Sequence, residues 1–217
     1  MEALVLIVVL LFSIVVHEVA HAWQARREGD HLAESLGRIT LNPIPHIDPF
    51  GSVLLPLMLH FSGTGILFGW AKPVPVDPSQ YRSPMWGDIR VSMAGIVSNL
   101  GLAALATLGA VVLLRVEMVI GTYGTLGELA LLGMQYAILI NLLLAFFNLI
   151  PIPPLDGSHV VFHMLPQSVR YRYREMGRYG LLILIGLLFL IPDLFGLVLW
   201  PVFYFQGLAD SFIRLWL

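Results

Sequence analysis

The sequence contains no cysteine, which excludes disulfide bonds and any thiolate-held metal, so a transition metal would have to be held by His, Asp or Glu. Charge is also scarce. Only 12% of residues are Asp, Glu, Lys or Arg, half the share of about 25% usual in soluble domains. With 58% hydrophobic residues and a mean hydropathy of +0.83, the composition is that of a membrane protein and excludes an ordinary soluble globule. The few charges nearly cancel, to −2 overall and a pI near 6.4, which leaves no electropositive footprint for nucleic acid. Low-complexity tracts are absent, and no polar stretch long enough to be a soluble domain interrupts the apolar ones.

What is present is a series of apolar stretches at roughly 3–25, 91–114, 127–150, 178–191 and 194–209, with a fainter one at 50–69. About 20 residues cross a bilayer core. The expected architecture is therefore an all-α polytopic membrane protein with about five transmembrane helices, the last two short and joined at Ile191-Pro192-Asp193 as a hairpin. The first run ends at Ala20-His21-Ala22, an A-x-A pattern shared with signal-peptide cleavage sites. However, Glu2 stands where a leader is basic, and Arg26 and Arg27 follow the run, so a retained helix is expected. One domain over 1–217 is expected, with a core at about 3–160 and the hairpin at about 178–209. Nine of the fourteen prolines fall in NPIPHIDP (42–49), AKPVPVDP (71–78) and NLIPIPPLDG (148–157). Fixed φ and missing donors make these stiff extended segments.

The second half of the first run reads VVHEVAHAW. His17 and His21 are four residues apart, about 40° round a helix, so both imidazoles project from one face. That is the HExxH geometry, in which two histidines grip one zinc and the intervening Glu18 is the general base. Such a pattern arises by chance in on the order of one per cent of chains this long. Ionisable side chains inside an apolar helix each cost roughly 2.5–3.5 kcal/mol or more at mid-bilayer, so three together need a functional reason. A catalytic zinc takes three protein ligands and leaves a position open. The remaining histidines are His31, His46, His60, His159 and His163, and the candidate acids are Asp48, Asp77, Asp88 and Asp156. Asp156 stands out because it follows a full-length apolar segment through a proline-rich break, the kind of backbone tolerated at membrane depth only inside protein or beside water.

HEVAH in a first apolar helix, followed far downstream by NLIPIPPLDG, resembles the site-2 protease family of intramembrane zinc metalloproteases. GRITLNPIPHIDPFGSVLLP, FGWAKPVPVDP and MAGIVSNL are similar to its compact subgroup, which lacks appended PDZ or CBS domains. The likeness runs from about residue 13 to 160. It implies one Zn²⁺ per chain held by His17, His21 and Asp156, with Glu18 as the catalytic base and Asn148 positioning the substrate carbonyl or oxyanion. It also implies that Gly95 allows close helix packing and that Asn99, four residues on, faces the active site. The sequence departs from many relatives at Ile96, where they have proline, and at Ser158, where they have a second glycine. The implied substrate is a single-span membrane protein cut within or beside the bilayer, with no nucleic-acid partner. The rival functions are an intramembrane metal transporter, for which repeated polar spans would be expected, and a catalytically dead scaffold.

Arg26, Arg27 and Arg38 place the end of the first span in the cytoplasm by the positive-inside rule. For Asp156 to join His17 and His21, the 127–150 helix must run parallel to the first, with 91–114 as the return crossing. The 50–69 stretch, interrupted by Pro56, is then expected to be re-entrant, and Lys72, Arg82, Arg90 and the arginines at 170–178 cytoplasmic. The protein is expected in the cell (plasma or inner) membrane, with its active site nearer the cytoplasmic face. Lys72 is expected to anchor at the interface by snorkelling. GWAKPVPV (69–76), with Lys72, Val74 and Val76, is expected as a short extended edge, or β, segment that pairs with an unwound substrate. His159 and His163, also four apart, are expected near the headgroups in preference to a second metal site. His46 is expected to be a hydrogen-bonded loop residue.

Overall fold

No proline interrupts residues 2–28, and this run forms α1 (Glu2–Glu28) in a computed structural model that describes residues 1–54, 58, 72–121, 124–190 and 192–216. At 1.5 Å per residue α1 is about 40 Å long, enough to cross a hydrocarbon core of about 30 Å. It stops where Gly29 takes a φ of 112°, a left-handed conformation that a side chain would strain. The N–H groups of Gly29 and Asp30 then return to Arg26 O and Ala25 O. After α2 (Leu32–Ser35) and the proline-rich loops comes α3 (Pro84–Ile120), entered with proline in its first turn, where no donor is missed. Then follow α4 (Gly124–Asn148), α5 (Gly157–Met164), α6 (Gln167–Glu175), α7 (Gly180–Leu190) and α8 (Pro192–Leu215).

Among the described residues, α1, α3 and α4 are the three helices long and apolar enough to cross a membrane. The helical membrane architecture expected from hydropathy is present, and the described residues bear out three of the five expected spans. At 11 residues, α7 extends only about 16 Å. α8 is longer, but Pro201, Gln206 and Asp210 dilute its apolar run. Most of the 50–69 stretch lies outside the described residues; its first part is a single π-helical turn at Pro49–Leu54.

The three long helices pack on one another, and α4 also packs on α8. Their directions follow from who meets whom. Near the start of α4, Gly133 lies beside Val5 at the start of α1, while Asp156, just past its end, reaches His21, so α1 and α4 run parallel. α3 runs against both, since its Val91 meets His21 and its Asn99, two turns later, meets His17. Small residues let α3 and α4 approach: Ala103 and Ala106 pack against Ile138 and Leu142, with Val202 of α8 closing the cluster. Leu4, Ile7, Val8 and Phe12 of α1 and Leu105, Leu108 and Val112 of α3 point outward, an apolar belt suited to lipid.

Polar groups gather where α1 ends. Arg90 donates through Nε and Nη2 to the two Glu28 oxygens at 2.7 and 2.8 Å, and Arg82 N–H donates to Glu28 O at 2.8 Å. The fully buried Asp30 carboxylate accepts from Leu32 N–H and, at 2.6 Å, from Asp77 N–H. Together these bonds clamp residues 72–82 against the end of α1.

Candidate active site

On α1 the helical period brings His17 and His21 to one side, with ring centroids 4.6 Å apart and nearly perpendicular planes. α4 ends at Asn148, the prolines at 151, 153 and 154 prevent it from continuing, and the chain turns back so that Asp156 meets the two imidazoles. Asp156 Oδ2 lies 3.2 Å from His17 Nε2 and 3.3 Å from His21 Nε2, and the two Nε2 atoms are 3.0 Å apart. All three ligand atoms fall within 4.8 Å of one another.

The protons on these rings can be placed by their other partners. His21 Nδ1–H donates to Val91 O at 2.7 Å, and a carbonyl can only accept. His17 Nδ1–H donates to Asn99 Oδ1 at 2.5 Å. When the rings are neutral, both Nε2 atoms then carry lone pairs directed at one another and at a carboxylate oxygen. That explains why the buried Asp156 Oδ2 is close to two nitrogens yet satisfied by no donor. Three convergent lone-pair donors repel one another unless a cation lies between them. Two imidazoles and a carboxylate, with a further coordination position left open, are a donor set suited to zinc.

Gly95 of α3 packs directly on this pair. A Cβ there would overlap His21 Nε2 and His17 Cε1 and Nδ1, so α3 reaches the two rings only because this position has no side chain. Gly95→Ala should displace both rings and lower bound zinc severalfold or more, while helical circular dichroism stays unchanged. Zinc analysis of the purified variant checks this.

Glu18, half-buried on the same helix, has one oxygen fixed: Val74 N–H donates to Oε2 at 2.8 Å. The expected edge strand around Val74 is replaced by a brace. Among the described residues there is no β-strand, and most of the segment's N–H groups are already used within the protein. Those of Lys72, Val74 and Asp77 go to His46 O, Glu18 and Asp30, and Pro73 and Pro75 have none. Lys72 O in turn accepts from Arg38 at 2.9 Å. Val74 is buried against Ala22 and Ala33, whereas Val76 is 37% exposed. Val74→Pro should therefore cut the rate roughly 10–100-fold by freeing Glu18, whereas Val76→Pro should not. Equal losses in cleavage assays at constant zinc content would instead favour a substrate-pairing strand.

The other residues singled out by sequence sit as follows. Asn99 is fully buried at the His17 ring. Asn148 donates to Leu144 O within its own helix at 2.9 Å and makes no hydrogen bond to the triad. His46 is buried as a loop residue, donating from Nε2 to Thr40 O. His159 and His163 both engage Asp88, His159 Nδ1 at 3.1 Å from each oxygen and His163 Nε2 at 2.8 Å. They tie α5 to α3, and the bond to Asp88 holds His159 above the usual imidazole range. Their ligand atoms do not converge as those of the triad do. Beside them a cleft of about 620 Å³, lined in part by Pro153, Ser158 and His159, opens next to the Asp156 loop. Sequence reasoning missed Asn141 and Ser13, both 1% exposed. The available signal was a lone polar amide within an apolar span.

A family model described as Peptidase family M50 matches residues 5–191. The chain is 36% identical over 212 residues to the provisionally named zinc metalloprotease YwhC of Bacillus subtilis, covering 97% of this chain and 90% of that one. It is 30% identical to the provisionally named zinc metalloprotease Rip2 of Mycolicibacterium smegmatis (94% and 74% covered) and 31% identical to that of Mycobacterium tuberculosis (88% and 70%). No solved structure matches it significantly.

Proposed function

The chain belongs to peptidase family M50, the site-2 protease family, and from that premise we propose that it is an intramembrane zinc endopeptidase that cuts single-span membrane proteins within or beside the bilayer. It is a metalloprotease, and its apolar helices make it a membrane protein. The observation that carries the reading is the convergence of His17, His21 and Asp156 on a helix that also presents Glu18. When bound, zinc supplies the Lewis acidity that makes water nucleophilic near neutral pH. His17, His21 and Asp156 would hold it. Glu18, with Oε2 fixed by Val74 N–H, offers Oε1 to take a proton from the attacking water and return it to the leaving amine. Asn148, at the C-terminal end of α4, would turn its amide from Leu144 O towards the developing oxyanion.

A substrate helix hides its carbonyls in its own i→i−4 bonds, so it must unwind before attack. Counting from Leu4, His17 lies roughly 20 Å along α1, about 10 Å inside the far face of a core of about 30 Å. Arg26, Arg27, Arg82 and Arg90 all cluster beyond that end, which supports a cytoplasmic-side site. The cleft beside Ser158 and His159 is a route for the water that hydrolysis consumes.

Purified protein in detergent, given a single-span substrate, should lose cleavage when zinc is stripped by a chelator and regain it with one equivalent of zinc. Undiminished cleavage by the stripped protein would overturn the assignment.

A further inference from the structure

We propose that Asn141 and Ser13 are positioning residues for His17, acting through Asn99 to hold the imidazole in the one tautomer that presents Nε2 to a metal. The proposal rests on the reading of His17 as a zinc ligand. All four side chains are buried, Asn99 at 0% and Asn141 and Ser13 at 1% exposure.

The direction of every bond follows from one end. Asn141 Nδ2 donates to Ala137 O at 2.8 Å and to Ser13 Oγ at 2.9 Å. The carbonyl of Ala137 can only accept, so the Asn141 amide can take only one orientation, with its oxygen towards Asn99. Asn99 Nδ2 donates to that oxygen at 2.7 Å and approaches Ser13 O at 3.5 Å. Asn99 must therefore turn its own oxygen to His17, where it accepts from Nδ1–H. Reversing either amide would set oxygen against oxygen. With Asn99 reversed, its NH₂ would face His17 Nδ1, drawing the ring proton to Nε2 and blocking the metal-facing lone pair. Three helices contribute to this relay: Ser13 from α1, Asn99 from α3 and Asn141 from α4. Outer partners of ligating histidines set tautomer and ring orientation, and their loss weakens metal binding about 10–100-fold.

The test uses the full chain in detergent and measures zinc affinity by competition with a chromophoric chelator, alongside the visible absorption of the Co²⁺-substituted protein. Asn141→Leu should weaken zinc binding about 10–100-fold and shift the cobalt bands. Ser13→Ala should have a smaller effect, because Ala137 O still orients the amide. Should Asn141→Leu fold poorly because it strands the Ser13 hydroxyl, the double variant with Ser13→Val removes both groups and should show the same shift. A purely structural role would lower thermal stability while leaving the cobalt spectrum as in the wild type, and that result would overturn the relay. His17→Ala separates the two levels. If it loses zinc while the Asn141 variants bind as wild type, the relay fails and the site stands. If it keeps zinc with an unaltered spectrum, the ligand assignment itself fails, and the relay with it.

Discussion

Glu18→Gln should keep zinc near one per chain and lose cleavage by at least about 10²–10⁴-fold, the usual contribution of a general base. Glutamine is nearly isosteric, and its amide oxygen can still accept from Val74 N–H as Glu18 Oε2 does, so the side chain should stay in place. What it cannot do is take a proton from water. Because the loss lies in the chemical step, it should appear in kcat, with substrate binding little changed. The measurement is elemental zinc on the purified variant beside cleavage of a single-span substrate. Near wild-type cutting would remove Glu18 from the mechanism, and loss of zinc together with activity would make it a ligand, as a carrier with an HExxH-like site would have. In cells, the same variant should let uncut single-span proteins accumulate, which membrane proteomics against wild type would identify.

His17→Ala, His21→Ala and Asp156→Ala should each lose the metal itself, with zinc falling from near one per chain to near none after dialysis. Each removes one of only three protein ligands, and the geometry offers no replacement. Without Asp156, two Nε2 atoms 3.0 Å apart remain without the carboxylate oxygen that completes the set. Without either histidine, the other still donates through Nδ1 but faces a lone carboxylate. Asp156→Asn should be milder, since an amide oxygen ligates more weakly than a carboxylate but keeps the shape. Cleavage should fall in parallel with zinc across the four variants. An Asp156→Ala protein that held zinc and cut normally would dismiss the site as drawn, whereas the Glu18→Gln result would remain interpretable on its own.

Part of this site is a local property of the chain. His17, Glu18 and His21 can be placed from the helical period alone, because an apolar run without proline has one regular way to satisfy its backbone in a bilayer. The three long helices are legible for the same reason, as are the proline-rich breaks, where missing donors and fixed φ exclude helix. At the C-terminus the described residues do not bear out the count that the same reasoning gave. Hydropathy weighs composition, and 178–191 and 194–209 are apolar enough to suggest spans, whereas α7 is only 11 residues long. It also took the alternating prolines near Val74 as a strand edge, when the N–H groups of Lys72, Val74 and Asp77 are used by His46, Glu18 and Asp30.

The sequence by itself determined the membrane class, the helix that carries the HExxH motif and, through resemblance, Asp156 as the candidate third ligand. Only the tertiary structure decided how those pieces meet. It brings Asp156 back to the histidines through a parallel α4, gives α3 its close approach at Gly95 and aims His159 and His163 at Asp88. It also joins Ser13, Asn99 and Asn141 into one hydrogen-bonded chain. The physical reason is range. Periodicity and proline act over a few residues through sterics that every sequence shares. The partner of a buried amide or imidazole is chosen by which helices pack together, and a single polar residue in an apolar run does not reveal that partner.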